Sequence, residues 1–412
     1  MSKPTPRKDR LEELLALART YRGWTQKQLA DALGRDVHNL VPGGGVPRLD
    51  MVLRLAESLD WPVETVIADL CGQTPEPSKI PDENATWIEL DRAAYAAAME
   101  GRVADQLVLA GRAYAVAQSP RERAYSSLRE SGALDQLGRY SASAEAARRG
   151  LRELDIPPVV YADLKAALAN AYLMLGELVE GEAIAASLAT ELRLPRFSGV
   201  YAGVRGYVHY LLGMSHRALA ITDWSEASPC ASVAATNFET AIAILREYYG
   251  EAKSSVHLNA ALISEAALIE MKVILGLLNW TDAVDRLLAR IDDPGTSHEL
   301  PEACIESIGW ACVFGSQLVL AHATDDEFAE RHLAIFTNKA DEVARRSGSW
   351  ALRERIWALE YLLMRGNRLL EPSTAVLDPE DLRDLTGTMG RFPSFRPHGW
   401  SLLRNARRVG EE

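Results

Sequence analysis

Cysteine and histidine are the residue types in this chain best suited to hold a metal or attack a carbonyl, and their spacing favours neither. The four cysteines, Cys71, Cys230, Cys304 and Cys312, form no CxxC pair and have no histidine pattern beside them, which argues against a zinc site and a disulfide framework. Cys304 and Cys312 sit in a largely apolar stretch and read as small buried residues. His209 and His216 lie two helical turns apart, but no cluster of carboxylates or thiols joins them. The chain also lacks a Gly-x-x-x-x-Gly-Lys phosphate cradle, a Gly-x-Ser-x-Gly nucleophile turn and a His-Glu-x-x-His zinc signature. Asp292 and Asp293, or Asp325 and Asp326, fall in polar turns where solvation explains them. The expectation is a protein that is not an enzyme and carries no cofactor and no metal.

The polar residues with the most suggestive spacing lie instead between Trp24 and Leu40. Thr25 is placed to cap a helix whose apolar positions Leu29, Ala30 and Leu33 recur at helical spacing. Gly34 ends that helix by allowing a left-handed residue, and Asp36 can cap a second short helix through Val37, His38, Asn39 and Leu40. Two helices joined so tightly form a unit able to read DNA. A preceding helix carries Leu11, Leu14, Leu15 and Ala18, another follows Pro47, and a fifth begins at Trp61-Pro62-Val63.

At this point the chain resembles the lambda-repressor-like, Cro-type helix-turn-helix family. The resemblance is carried by Thr25-Gln26-Lys27-Gln28-Leu29-Ala30, Leu33-Gly34 and Pro47-Arg48-Leu49-Asp50-Met51-Val52-Leu53-Arg54-Leu55-Ala56, and it covers about the first sixth of the chain. It implies that Gln26 contacts a phosphate with Lys27 and Arg35 close by, while Asp36, His38 and Asn39 face base edges, an Asn amide being able to pair with adenine. The alternative role of His38 and Asn39 is to cap or solvate a helix end. Family members continue the second helix of the motif for two more turns, whereas here Pro42-Gly43-Gly44-Gly45 intervenes, so that helix is expected to stop near Val41.

The net charge of -12 is unevenly spread. Residues 1–70 hold ten Lys and Arg against ten Asp and Glu, so all the net acidity lies in the remainder. An acidic body is repelled by phosphates, which confines any nucleic-acid contact to the first domain. The segment from Cys71 to Trp87 holds Pro75, Pro77 and Pro81 with few large apolar residues and reads as a linker. The first ten residues lack the apolar core of a signal peptide, and no window is apolar enough to span a bilayer, so a cytoplasmic protein with no membrane partner is expected.

From Ile88 onward the sequence is alanine-rich with helical periodicity, and a Leu-Gly pair recurs at Leu137-Gly138, Leu175-Gly176 and Leu212-Gly213, spaced 38 and 37 residues apart. A further match runs through Gly276-Leu277-Leu278-Asn279-Trp280. Each repeat reads as a helix ending at glycine followed by a second helix lying close by. This pattern resembles the tetratricopeptide repeat family over about residues 90–365; an irregular helical bundle is the alternative. By repeat position Asn170 falls on the inner face, where its amide can bond a peptide backbone; its alternative is an ordinary helix-surface residue.

The expected architecture is all-α: a five-helix helix-turn-helix domain over residues 1–70, a linker over 71–87, a tetratricopeptide-like α-solenoid over 88–370, and an irregular segment over 371–412 with a short basic helix from Leu402 to Val409. The two resemblances together imply a DNA-binding transcriptional regulator, possible as a homodimer, whose helical repeats sense a peptide or protein ligand. A protein-interaction scaffold with a degenerate helix-turn-helix domain is the alternative.

Overall fold

The computed structural model describes residues 8–22, 24–42, 47–59, 63–70, 85–222, 227–292, 301, 304–366, 376–405 and 407–408. Most of the linker, the glycines Gly43 to Gly45 and the loop over 293–300 lie outside the described residues, as does the side chain of His38. The protein is all-α: among the described residues the sole extended pairing is a two-residue parallel contact of Val376–Leu377 with Arg407–Arg408. None of its described helices is long and apolar enough to cross a membrane. The chain divides into two compact units, Met1–Leu134 with Ala142–Pro157, and Asp135–Ser141 with Pro158–Glu412.

In the first unit, α1 (Lys8–Arg22), α2 (Gln26–Leu33), α3 (Leu49–Leu59) and α4 (Val63–Leu70) enclose one core that includes Leu11, Leu15, Leu33, Met51, Leu55 and Val66. Each such side chain contributes about 1.5–3 kcal/mol by leaving water, enough in sum to hold four short helices that would not be stable alone. A second core joins α5 (Trp87–Met99) to α6 (Val103–Val116) through Leu90, Ala94, Leu109 and Ala113. In α7 (Pro120–Gln136) and α8 (Tyr140–Leu151), small residues let the backbones touch. Ser131 Oγ donates to the Ser143 carbonyl at 3.1 Å and Ser143 Oγ donates to the Ser131 carbonyl at 3.0 Å.

The second unit continues with α9 (Pro158–Leu175), α10 (Leu178–Glu191), α11 (Ala202–Thr222), α12 (Ala227–Ala252), α13 (Ser255–Ile274) and α14 (Trp280–Asp292). It ends with α15 (Glu306–His322), α16 (Asp326–Ser347), α17 (Trp350–Gly366), α18 (Pro379–Arg391) and α19 (Arg396–Asn405). Every helix from α9 packs on the next, and each odd-numbered helix also packs on the following odd-numbered one. That two-step contact is what stacked helix pairs produce. The turn over residues 135–141 belongs to this unit and lies against its far helices. A Cβ on Gly138 would stand 2.6 Å from Trp350 Cβ, Arg391 Nε donates to the Leu137 carbonyl at 3.2 Å, and the Tyr140 and Phe392 rings are 5.6 Å apart.

Several expectations need correction. Where five helices are expected over residues 1–70, the described residues form four α-helices and one 3-10 turn, Val37–Asn39, at the position expected for the short helix after Gly34. Gly138, Gly176 and Gly276 are left-handed, with φ of 67°, 81° and 68°, but Gly213 ends nothing. It lies within α11, where a Cβ would meet Phe238 at 2.5 Å; the glycine is there for space. Pro229 falls in the first turn of α12, which starts at Ala227, where a missing N–H costs nothing. The C-terminal helix begins earlier than Leu402, at Arg396, with Pro397 in its first turn, and Arg407–Arg408 are extended.

Candidate functional site

The first candidate region is built on α2. Its N-terminus is fixed by a reciprocal cap: Thr25 N donates to Gln28 Oε1 at 2.8 Å and Gln28 N donates to Thr25 Oγ1 at 3.3 Å. Its C-terminus is fixed by Gly34 at φ 64°, with the Arg54 guanidinium packed where a side chain on residue 34 would lie. Leu29, Ala30 and Leu33 are buried, which turns Gln26, Lys27 and Gln28 to solvent. Beyond the turn, Leu40 is buried and Val37 and Val41 pack on the same core, so the backbone between them is anchored although it is only one 3-10 turn long. Asn39 N donates to the Asp36 carbonyl at 2.9 Å, and both side chains are exposed. Arg35 is half-buried and directed to Asp50 at 3.5 Å, so its charge is partly answered within the domain.

The second candidate region lies in the second unit and starts from Asn170. On α9 this residue is only 7% exposed, and its Nδ2 donates to Asp135 Oδ1 at 2.9 Å across to the end of α7. Burial pushes the Asp135 carboxyl up to about 7; the Asn170 hydrogen bond opposes that rise and the charge of Glu306 adds to it. Glu306, at the start of α15, accepts from Ser349 Oγ at 2.7 Å and from Trp310 Nε1 at 3.3 Å, both at Oε1.

Three tyrosines share the electrostatic field of these acids. Tyr140 opens α8, while Tyr207 and Tyr210 lie one turn apart on α11 with rings 5.3 Å apart. Burial raises all three phenols first, and the charges of Asp135 and Glu306 raise them further. A phenol held neutral beside carboxylates is a hydrogen-bond donor, and its ring face attracts cations.

Among the other polar groups described in this unit, Glu191 Oε2, His216 Nδ1, Asn259 Oδ1, Ser316 Oγ and Arg353 Nε are buried without a hydrogen-bond partner, while the following have one. Arg217 donates to both oxygens of Glu270, at 2.5 and 3.1 Å, and to Gln317, with its guanidinium over Phe314. His209 meets Asn237 at 2.8 Å and His216 meets Glu182 at 3.8 Å, each on a different helix.

The sequence singled out Asn170 but not its neighbours. Asp135 reads as one more polar residue before a Leu-Gly turn, and Glu306 follows a loop far along the chain. The Tyr207-x-x-Tyr210 spacing was the one visible signal, since residues three apart share a helix face. Compared with known proteins, the chain matches no family model and no curated sequence.

Proposed function

We propose that this protein is a DNA-binding transcriptional regulator whose helical body senses a peptide or protein ligand. The observation that carries the reading is the doubly capped α2 with its left-handed Gly34, presenting exposed Gln26 and Lys27 ahead of exposed Asp36 and Asn39. Gln26 and Lys27 engage phosphate, Asp36, His38 and Asn39 face the bases, and the charge-balanced first 70 residues carry the contact while the acidic remainder stays off the duplex. The stacked helix pairs of the second unit offer the inner surface for the ligand. Two copies reading two half-sites would convert a change in their spacing into a change in occupancy.

One observation favours a second reading, that of a non-catalytic interaction scaffold. Among the described residues a 3-10 turn, Val37–Asn39, stands where the reading helix would be. Selection of genomic fragments by the full chain at two salt concentrations, beside a His38→Ala, Asn39→Ala double variant, separates them. Regulation requires sequence-selective enrichment that the double variant loses. Absence of enrichment even at low salt leaves the scaffold.

A further inference from the structure

We infer that the cavity between α16, α17 and α18 binds a small primary amine bearing a hydrogen-bond acceptor, with Glu360 as counter-ion to the ammonium and Arg353 Nε as donor to the acceptor; this site stands apart from the DNA-reading and peptide-sensing readings above. One face of α17 builds the wall, since Arg353, Trp357 and Glu360 follow one another at i, i+4 and i+7 and all line the cavity. The space measures about 170 Å³, comparable with the ~150 Å³ that elsewhere suffices for a ligand of about six non-hydrogen atoms. Charge in the wall is unbalanced, because Asp341, Glu360, Asp381 and Asp384 line it with only two guanidiniums, Arg345 and Arg353. Arg353 Nη1 is held by Asp384 at 2.9 Å, and Arg345 is shared by Asp341 at 2.9 Å, Glu380 at 2.9 Å and Asp381 at 3.8 Å. Glu360 is left over: among the described residues it has neither an ion pair nor a hydrogen bond.

Burial pushes the Glu360 carboxyl above its ordinary range, and the charges of Asp341 and Asp381 push it further, so its ionised form gains from a cation brought beside it. A second and independent observation is Arg353 Nε. It is buried without a hydrogen-bond partner, although Nη1 of the same guanidinium is paired and the group lies 4.5 Å from the Trp350 ring centroid. Buried N–H groups are rarely left unmade, so the wall lacks an acceptor as well as a cation. A metal ion would not answer both, and among the described residues no three His, Cys, Asp or Glu are grouped to hold one. Glu360 and Arg353 lie two turns apart, about 10 Å along α17, a span that a short chain with an ammonium at one end and an acceptor at the other can bridge. The Trp357 indole in the same wall adds cation–π attraction for the ammonium.

Ligand-observed NMR titration of the full chain with ω-amino alcohols, propanolamine to hexanolamine, tests this, each beside the diol and the alkylamine of the same length. The amino alcohols should bind; the diols should bind at least about tenfold more weakly for want of an ammonium, and the alkylamines roughly threefold to tenfold more weakly for want of an acceptor. Glu360→Gln should cost the amino alcohols and the alkylamines at least about tenfold and leave the diols unaffected. Asn338→Trp, which sets a large ring at the exposed rim and leaves the charges in place, should weaken every probe, and it decides whether this cavity is the site even if Glu360→Gln does not fold. Glu330→Gln, exposed near the start of α16, should change nothing, and circular dichroism checks that each variant is folded. Amine binding indifferent to both cavity substitutions overturns the site. Diols binding as tightly as amino alcohols overturn the role of Glu360, and alkylamines binding as tightly overturn that of Arg353. Failure of every amino alcohol to bind the folded wild-type chain overturns the whole assignment.

Discussion

Asp135 shows how a single carboxyl ties conformation to pH. Its folded-state value, pushed up to about 7, lies above the ordinary 3.8, so between these limits the folded form holds a proton that the unfolded form has released. Stability from this group is therefore full below about pH 4 and falls as pH rises toward 7. Besides burial, the groups that act on it are Asn170 on α9 and Glu306 on α15, and its own charge acts on Tyr140 on α8 and on Tyr207 and Tyr210 on α11. Asp135→Asn keeps the bond from Asn170 but cannot ionise. Urea unfolding of both proteins from pH 5 to 8 should show the wild type losing on the order of 1–3 kcal/mol relative to the variant. Parallel curves would remove the buried carboxyl from the account. Residue identity alone did not disclose this, because desolvation depends on helices that arrive from more than a hundred residues away.

At the scale of elements, caps and close approaches obey different rules that share a residue type. The left-handed Gly34, Gly138, Gly176 and Gly276 were legible, since a glycine after a periodic apolar run has an angular reason to be there. Gly213 looked identical in sequence but serves the Phe238 ring, and nothing local distinguishes space from angle. The two reasons separate experimentally. Gly213→Val should destabilise the unit by about 1–3 kcal/mol through overpacking, whereas Gly276→Ala, with no neighbour near its missing Cβ, should cost about 1 kcal/mol through its backbone angle. Calorimetry that ranked the two in reverse would refute the distinction. The Thr25 cap was equally legible because Thr-x-x-Gln is a local pattern, and Thr25→Ala should lower the melting temperature in line with about 0.5–2 kcal/mol. The length of the element after Gly34 was only partly legible. Pro42 set its outer limit, but its shrinkage to a 3-10 turn reflects how Val37 and Leu40 seat on the core.

For the whole molecule, the all-helical class was plain from periodicity, and the separation of charge between the first 70 residues and the rest was plain from counting. If the regulator reading holds, DNA affinity should fall steeply with salt, and Lys27→Ala should reduce the slope of log affinity against log salt by about 1 without altering sequence preference. A slope unchanged by that substitution would place the phosphate contact elsewhere. What no counting could give is the return of the turn over 135–141 to α17 and α18, a contact 254 residues apart in the chain. A linear stack of repeats frays, its terminal pair melting while the middle survives. A stack whose opening turn is latched to its closing helices has no terminal pair to lose. Amide protons from α9 to α18 should then exchange together, and anything held among them would escape at the rate at which the latch itself unfastens.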